Sequence, residues 1–520
     1  MTAAGALLDQ ARRLGLTPDP GRDLETGPAQ ARAAREAAAV WRAASAEGRN
    51  DLAEQALDAL RGMLADPAVD RTELSDHVLL VPGADKLPWD RVIPPARGLA
   101  LLYNFSPFQD TGSTVASKRL RQFGDSVDVI ACSFLHHKKM DPTIERISAP
   151  YVRSKHFLPF SPAWATWGPH AAFALRAAAL AERYMADRAE PYEFLYTRAM
   201  WSPSLLAGAL VKLRHPGVRW VAEFSDPLSQ DVEGRHRGGP IADDECSRTL
   251  TEAFEARYGP LDDRERTVFA LPESLVFAFA DEIIFTNALQ RETMLAAIGR
   301  EDLRSRVMAV STVSHHPVLP RPFYRMCEAS PQVGPEHLNV AYFGEFYSSR
   351  GLLEVTSALR TLPERIRERV RLHVHTNYVA ADHGGRRLSS FSAASYATLV
   401  ERALRGVGAE GVEHLVRFHP SLPFLEFLAA TDAFDLLVVR DAASGAHHAV
   451  NPYLPSKWSD YSGSTAATWA IVEEGSTMSG LSPRHRSAVH DVAGAREVLW
   501  RAVEEKFGDA VASDPEEGPR

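Results

Sequence analysis

A chain of 520 residues is long enough for two or three domains with sizeable cores. Its 45% hydrophobic and 24% charged content is that of an ordinary globular protein, and a formal net charge of -9 argues against a nucleic-acid binder working through a basic surface. Three widely spaced cysteines, Cys132, Cys246 and Cys327, form no CxxC or zinc-ligand pattern, which points to reduced thiols and a cytoplasmic location. With no basic-then-apolar leader and no run of about 18 apolar residues, no membrane span is expected and only peripheral membrane contact stays open.

Residues 1–75 are rich in Ala, Arg, Glu and Leu at helical spacing, as in Ala31–Ala44 and Asp51–Leu64, with a break at Asp19-Pro20-Gly21. They predict a helical appendage with a structural or oligomeric role. From Leu99 strands and helices alternate, which predicts a first α/β domain over residues 76–325. Its expected strands are Leu99–Tyr103, Val127–Cys132, Phe194–Thr197, Trp220–Phe224, Glu282–Thr286 and Val307–Ser311. Its expected helices are Val115–Phe123, Ser204–Lys212, residues 265–280 and a segment from Gln290. The acidic run Asp243-Asp244-Glu245 reads as a solvated loop.

The proline-rich stretch Pro317–Pro335 reads as a linker. A second alternating set over residues 326–484 has strands at Asn339–Gly344, Val370–His375, Val416–His419, Phe434–Val439 and Thr468–Val472. Helices are expected at Leu352–Leu359, Tyr396–Arg405 and Phe424–Ala430. A last helix, Ala493–Phe507 within residues 485–510, is expected to cross back onto the first domain, and residues 511–520 read as a disordered tail. The fold class is therefore α/β, with two Rossmann-like doubly wound domains and a helical N-terminal appendage. Such sheets place ligands at the carboxyl ends of their strands, so a cleft between the domains is the default site.

The stretch Asn451–Tyr461 links the fourth and fifth strands of the second set, with Pro455-Ser456 where a helix begins. Ser is a favoured N-cap, and helix N-termini attract phosphate through free amides. Lys457 and Asp460 fall one turn apart on one face. They read either as a cation for a diphosphate with a carboxylate for a sugar diol, or as a solvated ion pair.

Asn451–Tyr461 resembles the PSK-x-x-(D/E)-Y loop of retaining GT-B glycosyltransferases of the family-4 type. Gly344 through Arg350-Gly351 to Glu354 resembles that family's G-x5-(K/R)-G segment. Phe105–Ser113 resembles its first glycine-bearing loop, and Glu223-Phe-Ser-Asp226-Pro227 is similar to its F-R-D-P strand end. The resemblance spans residues 95–500 and leaves the appendage aside. It implies GT-B architecture and transfer of a sugar from a nucleotide-diphosphate donor to an acceptor hydroxyl, with retention, no metal and no cofactor.

As the sugar–diphosphate bond breaks, charge builds on the leaving phosphates, and fixed cations stabilise it. The resemblance puts Arg350 and Lys457 there, the first as a two-pronged donor and the second as a compact charge. It adds Gly112, Ser113, Gly344, Asn451, Pro455, Ser456 and Asp460 to the donor site, with Asp460 on the ribose; His375 and Asn377, at the end of the strand Val370–His375, fall where the nucleotide would sit, and a strand-end His reads equally as a hydrogen-bonded structural residue. Asp110, His136, His137 and Asp226 face the acceptor. Asp226 either orients and deprotonates the acceptor hydroxyl or caps a helix beginning at Pro227.

Two positions depart from the family pattern. Pro452 stands where an acid often precedes Asp460, so backbone amides near Val450–Asn451, with His447 or His448, are the expected substitute. Glu345 replaces a common Arg. These departures keep two alternatives open: a nucleotide-sugar epimerase of the same fold, and a non-catalytic binding or scaffold protein.

Overall fold

The computed structural model describes residues 3–19, 29–329, 331, 333–344, 351–376 and 407–508. They form two compact units, each built on one parallel sheet. Among the described residues no helix is long and apolar enough to cross a membrane.

The first unit comprises Met1–Ser229, His236–Thr286 and Ala297–Pro317. Its strands are β1 (Gly98–Leu102), β2 (Val127–Cys132), β3 (Val152–Leu158), β4 (Phe194–Arg198), β5 (Arg219–Phe224), β6 (Glu282–Phe285) and β7 (Ser311–Val313). They pair in the order β3-β2-β1-β4-β5-β6-β7, all parallel. Strands β1, β2 and β4 are buried throughout, as expected for near-continuous apolar runs covered on both faces. Strand addition reverses between β1 and β4, which makes that gap the sheet's switch point.

The N-terminal helices belong to this unit. Leu8, Ala11, Val40, Ala44, Leu52 and Ala56 close a small core of their own. Small alanines let these helices pack closely, and side-chain contacts tie them to the sheet layer. Arg121 Nε donates to Asp76 at 3.0 Å, and Arg71 donates to the Pro150 carbonyl at 2.6 Å.

Three expectations change here. The segment expected as the strand Val307–Ser311 is mostly the end of a helix, Glu301–Val310, because Leu303 and Val307 bury one helical face; only Ser311–Val313 pairs in the sheet. The acidic run is no simple loop, since Asp244 caps the helix Glu245–Tyr258 in a reciprocal pair with Ser247 and accepts from Trp167 Nε1 at 2.7 Å. No helix begins at Pro227. The edge strand β3 and the 20-residue helix Trp167–Ala186 are additional to the predicted elements.

The second unit comprises Val318–Arg520 together with Gln230–Arg235 and Asn287–Ala296. The chain division therefore falls at Pro317–Val318 and is not a single cut. Its strands are β8 (Leu338–Phe343), β9 (Val370–Thr376), β10 (Val416–Pro420), β11 (Leu436–Arg440), β12 (Ala467–Val472) and β13 (His485–Ala488). They pair in parallel in the order β10-β9-β8-β11-β12-β13, with the switch point between β8 and β11.

The last helix, Val492–Phe507, packs into this unit's core. Its stripe of Ala495, Val498, Leu499, Ala502 and Val503 lies with Leu359, Val374 and Trp469 in one cluster, and Lys506 bonds Asp435 at 2.6 Å. That apolar face is buried within the second unit's own core. The expected helix Tyr396–Arg405 and the tail 511–520 lie outside the described residues.

Candidate functional site

In the second unit the chain leaves β11 at the switch point and runs through residues 441–456 before one short helical turn, Lys457–Tyr461. Glu473, just past β12, gathers this loop. Its carboxylate accepts from the Ser444 amide at 3.0 Å, the Gly445 amide at 2.7 Å and the Asn451 side-chain amide at 2.7 Å. Asn451 also donates to the Ala442 carbonyl at 2.8 Å and accepts from the Tyr453 amide at 3.0 Å. Its side chain thus holds the loop. His448 bonds the Asp231 carbonyl at 2.9 Å, and Asn287 Nδ2 donates to the Pro452 carbonyl at 3.0 Å.

Ser456 is already helical, with φ -60° and ψ -26°, and its hydroxyl makes no cap bond. The Pro455 carbonyl instead accepts the Trp458 amide at 3.0 Å. Lys457 Nζ lies 3.6 Å from Asp460 and 4.2 Å from the centroid of the Phe427 ring. The two form an ion pair that meets solvent on the lysine side, since the Lys457 side chain is 35% exposed and that of Asp460 only 6%. The Tyr324 hydroxyl donates to the Asp460 carbonyl, and the Phe343 amide donates to the Tyr461 hydroxyl at 3.3 Å. The turn is thereby fixed to the carboxyl end of β8.

There Gly344 donates its amide to the His375 carbonyl at 3.0 Å with φ 156°, and a Cβ would stand 3.2 Å from the Tyr342 hydroxyl. Only glycine fits that combination without strain. His375 stacks between Phe343 and His419, at 4.3 and 4.6 Å between centroids. Its Nδ1 lies 3.3 Å from the Pro420 carbonyl, and among the described residues its buried Nε2 has no hydrogen-bond partner. His373 bridges His419 at 3.0 Å and Asn339 at 3.2 Å. Arg350 and Asn377 lie outside the described residues, as does Glu345.

Sequence reasoning missed the buried pair beside this end. Arg440, the last residue of β11, donates to Glu354 at 2.8 Å, and both side chains are at most 5% exposed. Burial would raise the Glu354 carboxyl, but Arg440 and the His490 amide hold it below its usual range.

In the first unit Asp110 caps the helix Thr111–Phe123, accepting the Gly112 amide at 2.7 Å, and pairs with Lys138. Ser113 donates its hydroxyl to the Phe108 carbonyl at 2.6 Å. Asp110, Gly112 and Ser113 are therefore a capping unit in place of an open loop. His136 and His137 are exposed in the turn after β2. Asp226 is half-buried two residues beyond β5.

Beneath them lies a charged cluster that no local pattern announced. Glu223, wholly buried near the end of β5, accepts from Arg119 at 3.0 and 3.1 Å and from the Tyr196 hydroxyl at 2.5 Å. Burial alone would raise its carboxyl, yet the charges of Arg119 and Arg198 bring it down to about 2.

Comparison with known proteins adds the following. No protein-family model and no curated protein matches the chain. Solved structures do. Sucrose-phosphate synthase from Thermosynechococcus elongatus superposes with a TM-score of 0.44 and 13% identity, over 80% of this chain and 96% of that one. A UDP-forming α,α-trehalose-phosphate synthase from Burkholderia xenovorans, in complex with glucose-6-phosphate, gives 0.45 and 11%, over 80% and 95%. An E. coli trehalose-6-phosphate protein bound with UDP-2-fluoro glucose gives 0.46 and 10%, over 80% and 95%.

The buried histidines set a pH dependence. Burial, followed by the charge of His419, pushes His375 down to about 3 and His373 to about 4. Burial and then Arg198 push His316 in the first unit to about 3. Each takes up a proton on unfolding, so its contribution is complete above the unfolded pKa of about 6.5. It is lost as pH falls, by about 1.4 kcal/mol per histidine per pH unit. Glu273, raised by burial to about 6, works the other way between about 4.5 and 6. Three histidines outweigh one carboxyl. The urea midpoint is expected to fall from about pH 7 to about pH 5, with a shallower fall in His375→Gln. A midpoint constant over that range contradicts this.

Proposed function

We propose that the chain is a glycosyltransferase that moves a sugar from a nucleotide-diphosphate donor to an acceptor hydroxyl. The second unit holds the donor and the first unit the acceptor. The observation that carries this reading is the Asn451–Tyr461 crossing. At the switch point of a parallel sheet, a clamped loop delivers Lys457 and Asp460 on one anchored turn. A diphosphate arriving there would exchange the 3.6 Å contact between Lys457 and Asp460 for closer phosphate oxygens and free Asp460 for a ribose diol. The ammonium then stabilises charge developing on the leaving phosphate, which can itself accept the acceptor's proton and so give retention. Arg350 is the second cation in this scheme.

Donor-dependent release of UDP or GDP, with analysis of the sugar product, tests the reading. An acceptor-linked sugar supports it, an altered free sugar without acceptor replaces it with an epimerase, and no turnover with any donor contradicts catalysis. The non-catalytic reading draws on one observation, that the Asn451 side chain is engaged inside the protein.

A further inference from the structure

Apolar side chains reach into solvent at one end of the first unit. Among the described residues nine large apolar side chains are exposed, and three of them follow β2 and β3 at their carboxyl ends. Leu135 in the turn after β2 is 55% exposed, Met140 at the close of the same loop 54%, and Trp164 beyond β3 44%. Aromatic rings join them from beneath. Phe134, next to Leu135, lies 5.3 Å from Trp201, and Trp164 meets Trp201 edge-on at 4.9 Å. Met140 pairs with Phe108, whose ring is 6.0 Å from that of Phe134. This packed base leaves the three side chains no room to turn inwards, and exposed apolar surface rimmed by polar residues marks an interaction site.

The same face is basic, on a chain whose formal net charge is -9. His136, His137, Lys138 and Lys139 separate Leu135 from Met140. Lys138 is neutralised by Asp110, but Lys139 is exposed and makes no ion pair among the described residues. Nor does Arg237, which is half-buried beside Trp164. The next residue, Gly238, abuts Phe269, where a Cβ would stand 2.9 Å from the ring, and Phe269 lies 5.3 Å from Trp164. The carboxylates near Trp167 are already engaged, Asp243 with Arg248 and Asp244 as a helix cap.

We propose that this face docks on an anionic lipid bilayer, with Leu135, Met140 and Trp164 entering the interface and Lys139 and Arg237 meeting the lipid phosphates. Four polar residues divide Leu135 from Met140, so the apolar tips make no continuous surface for a protein partner. A bilayer takes up separate tips one at a time. Tryptophan suits the headgroup depth, and a long basic side chain reaches the phosphates while its apolar neighbour is buried. Each cation at an anionic surface strengthens binding about fivefold. The proposal stands on the first unit alone and is independent of the transferase reading.

The test is co-sedimentation of the full chain with vesicles of phosphatidylcholine, alone or mixed in equal parts with phosphatidylglycerol, at low and at raised salt. Binding is expected to the mixed vesicles only, and to weaken as salt rises. Leu135→Ser combined with Met140→Ser is expected to weaken it about tenfold or more, and Lys139→Glu about fivefold or more. Leu14→Ser removes a comparably exposed side chain from the N-terminal appendage and is expected to bind as wild type does. All these residues are exposed, so the melting temperatures are expected to stay equal. Wild type left in the supernatant with mixed vesicles overturns the proposal. So does equal binding to both lipids, undiminished binding by either the double variant or Lys139→Glu, or an equal loss in Leu14→Ser. Self-association of wild type that the double variant loses, without vesicle binding, would give the face to a second copy of the chain instead.

Discussion

Replacing Lys457 by Ala is expected to lower turnover by about 10²–10³ while the protein stays folded. The side chain sits on the turn after Pro455 and is about one-third exposed, so its removal opens no core cavity. Asp460 then loses its cation, yet the backbone of the turn is still held by Tyr324 and by Tyr461. The loss should fall on kcat more than on KM, because phosphate charge grows as the sugar departs. Arg in place of Lys keeps the charge and should recover part of the rate. A Lys457→Ala enzyme within threefold or so of wild type would remove this residue from the leaving-group site.

The largest expected stability effect is at Glu223. Glu223→Gln leaves Arg119 and Arg198 facing a neutral amide inside the first unit, and removing one partner of a buried pair costs about 3–5 kcal/mol. The Tyr196 hydroxyl also loses its charged acceptor. Tryptophan fluorescence, to which Trp220 buried on the same strand contributes, follows unfolding in urea. A drop in midpoint with unchanged slope is the expected result. A loss below about 1 kcal/mol would show that the pair carries no net weight.

Much of the fold was legible because parallel sheets write themselves as apolar runs. Leu99–Tyr103, Trp220–Phe224 and Thr468–Val472 were each within a residue or two of β1, β5 and β12. The edge strands β3 and β13 escaped notice because Arg153, Lys155 and His156, or His485 and Arg486, break the apolar run where one side of the strand meets water. Val307 misled because it is apolar on a helical spacing from Leu303, not on a strand's alternation. The attachment of Gln230–Arg235 and Asn287–Ala296 to the second unit has no local signal at all.

The site divides in the same way. The position of the Asn451–Tyr461 crossing followed from short-range pattern, and so did the pairing of Lys457 with Asp460. The engagement of Asn451 by Glu473 did not, since the acid comes 22 residues later, just past another strand. Nor did the cluster of Arg119, Glu223 and Ser314, whose partners are 104 and 195 residues apart. Spacing rules see one helix face or one strand, and contacts of that range exist only once the sheet is assembled.

The account depends most on a nucleoside diphosphate binding beside Lys457. Titrating UDP and GDP into wild type and Lys457→Ala, with melting temperature as readout, tests that directly, because a ligand held only by the folded state must stabilise it. One of the two nucleotides is expected to raise the wild-type melting temperature in a concentration-dependent way and to leave Lys457→Ala unmoved. Equal shifts in both proteins, or none in wild type with either nucleotide, would contradict the account.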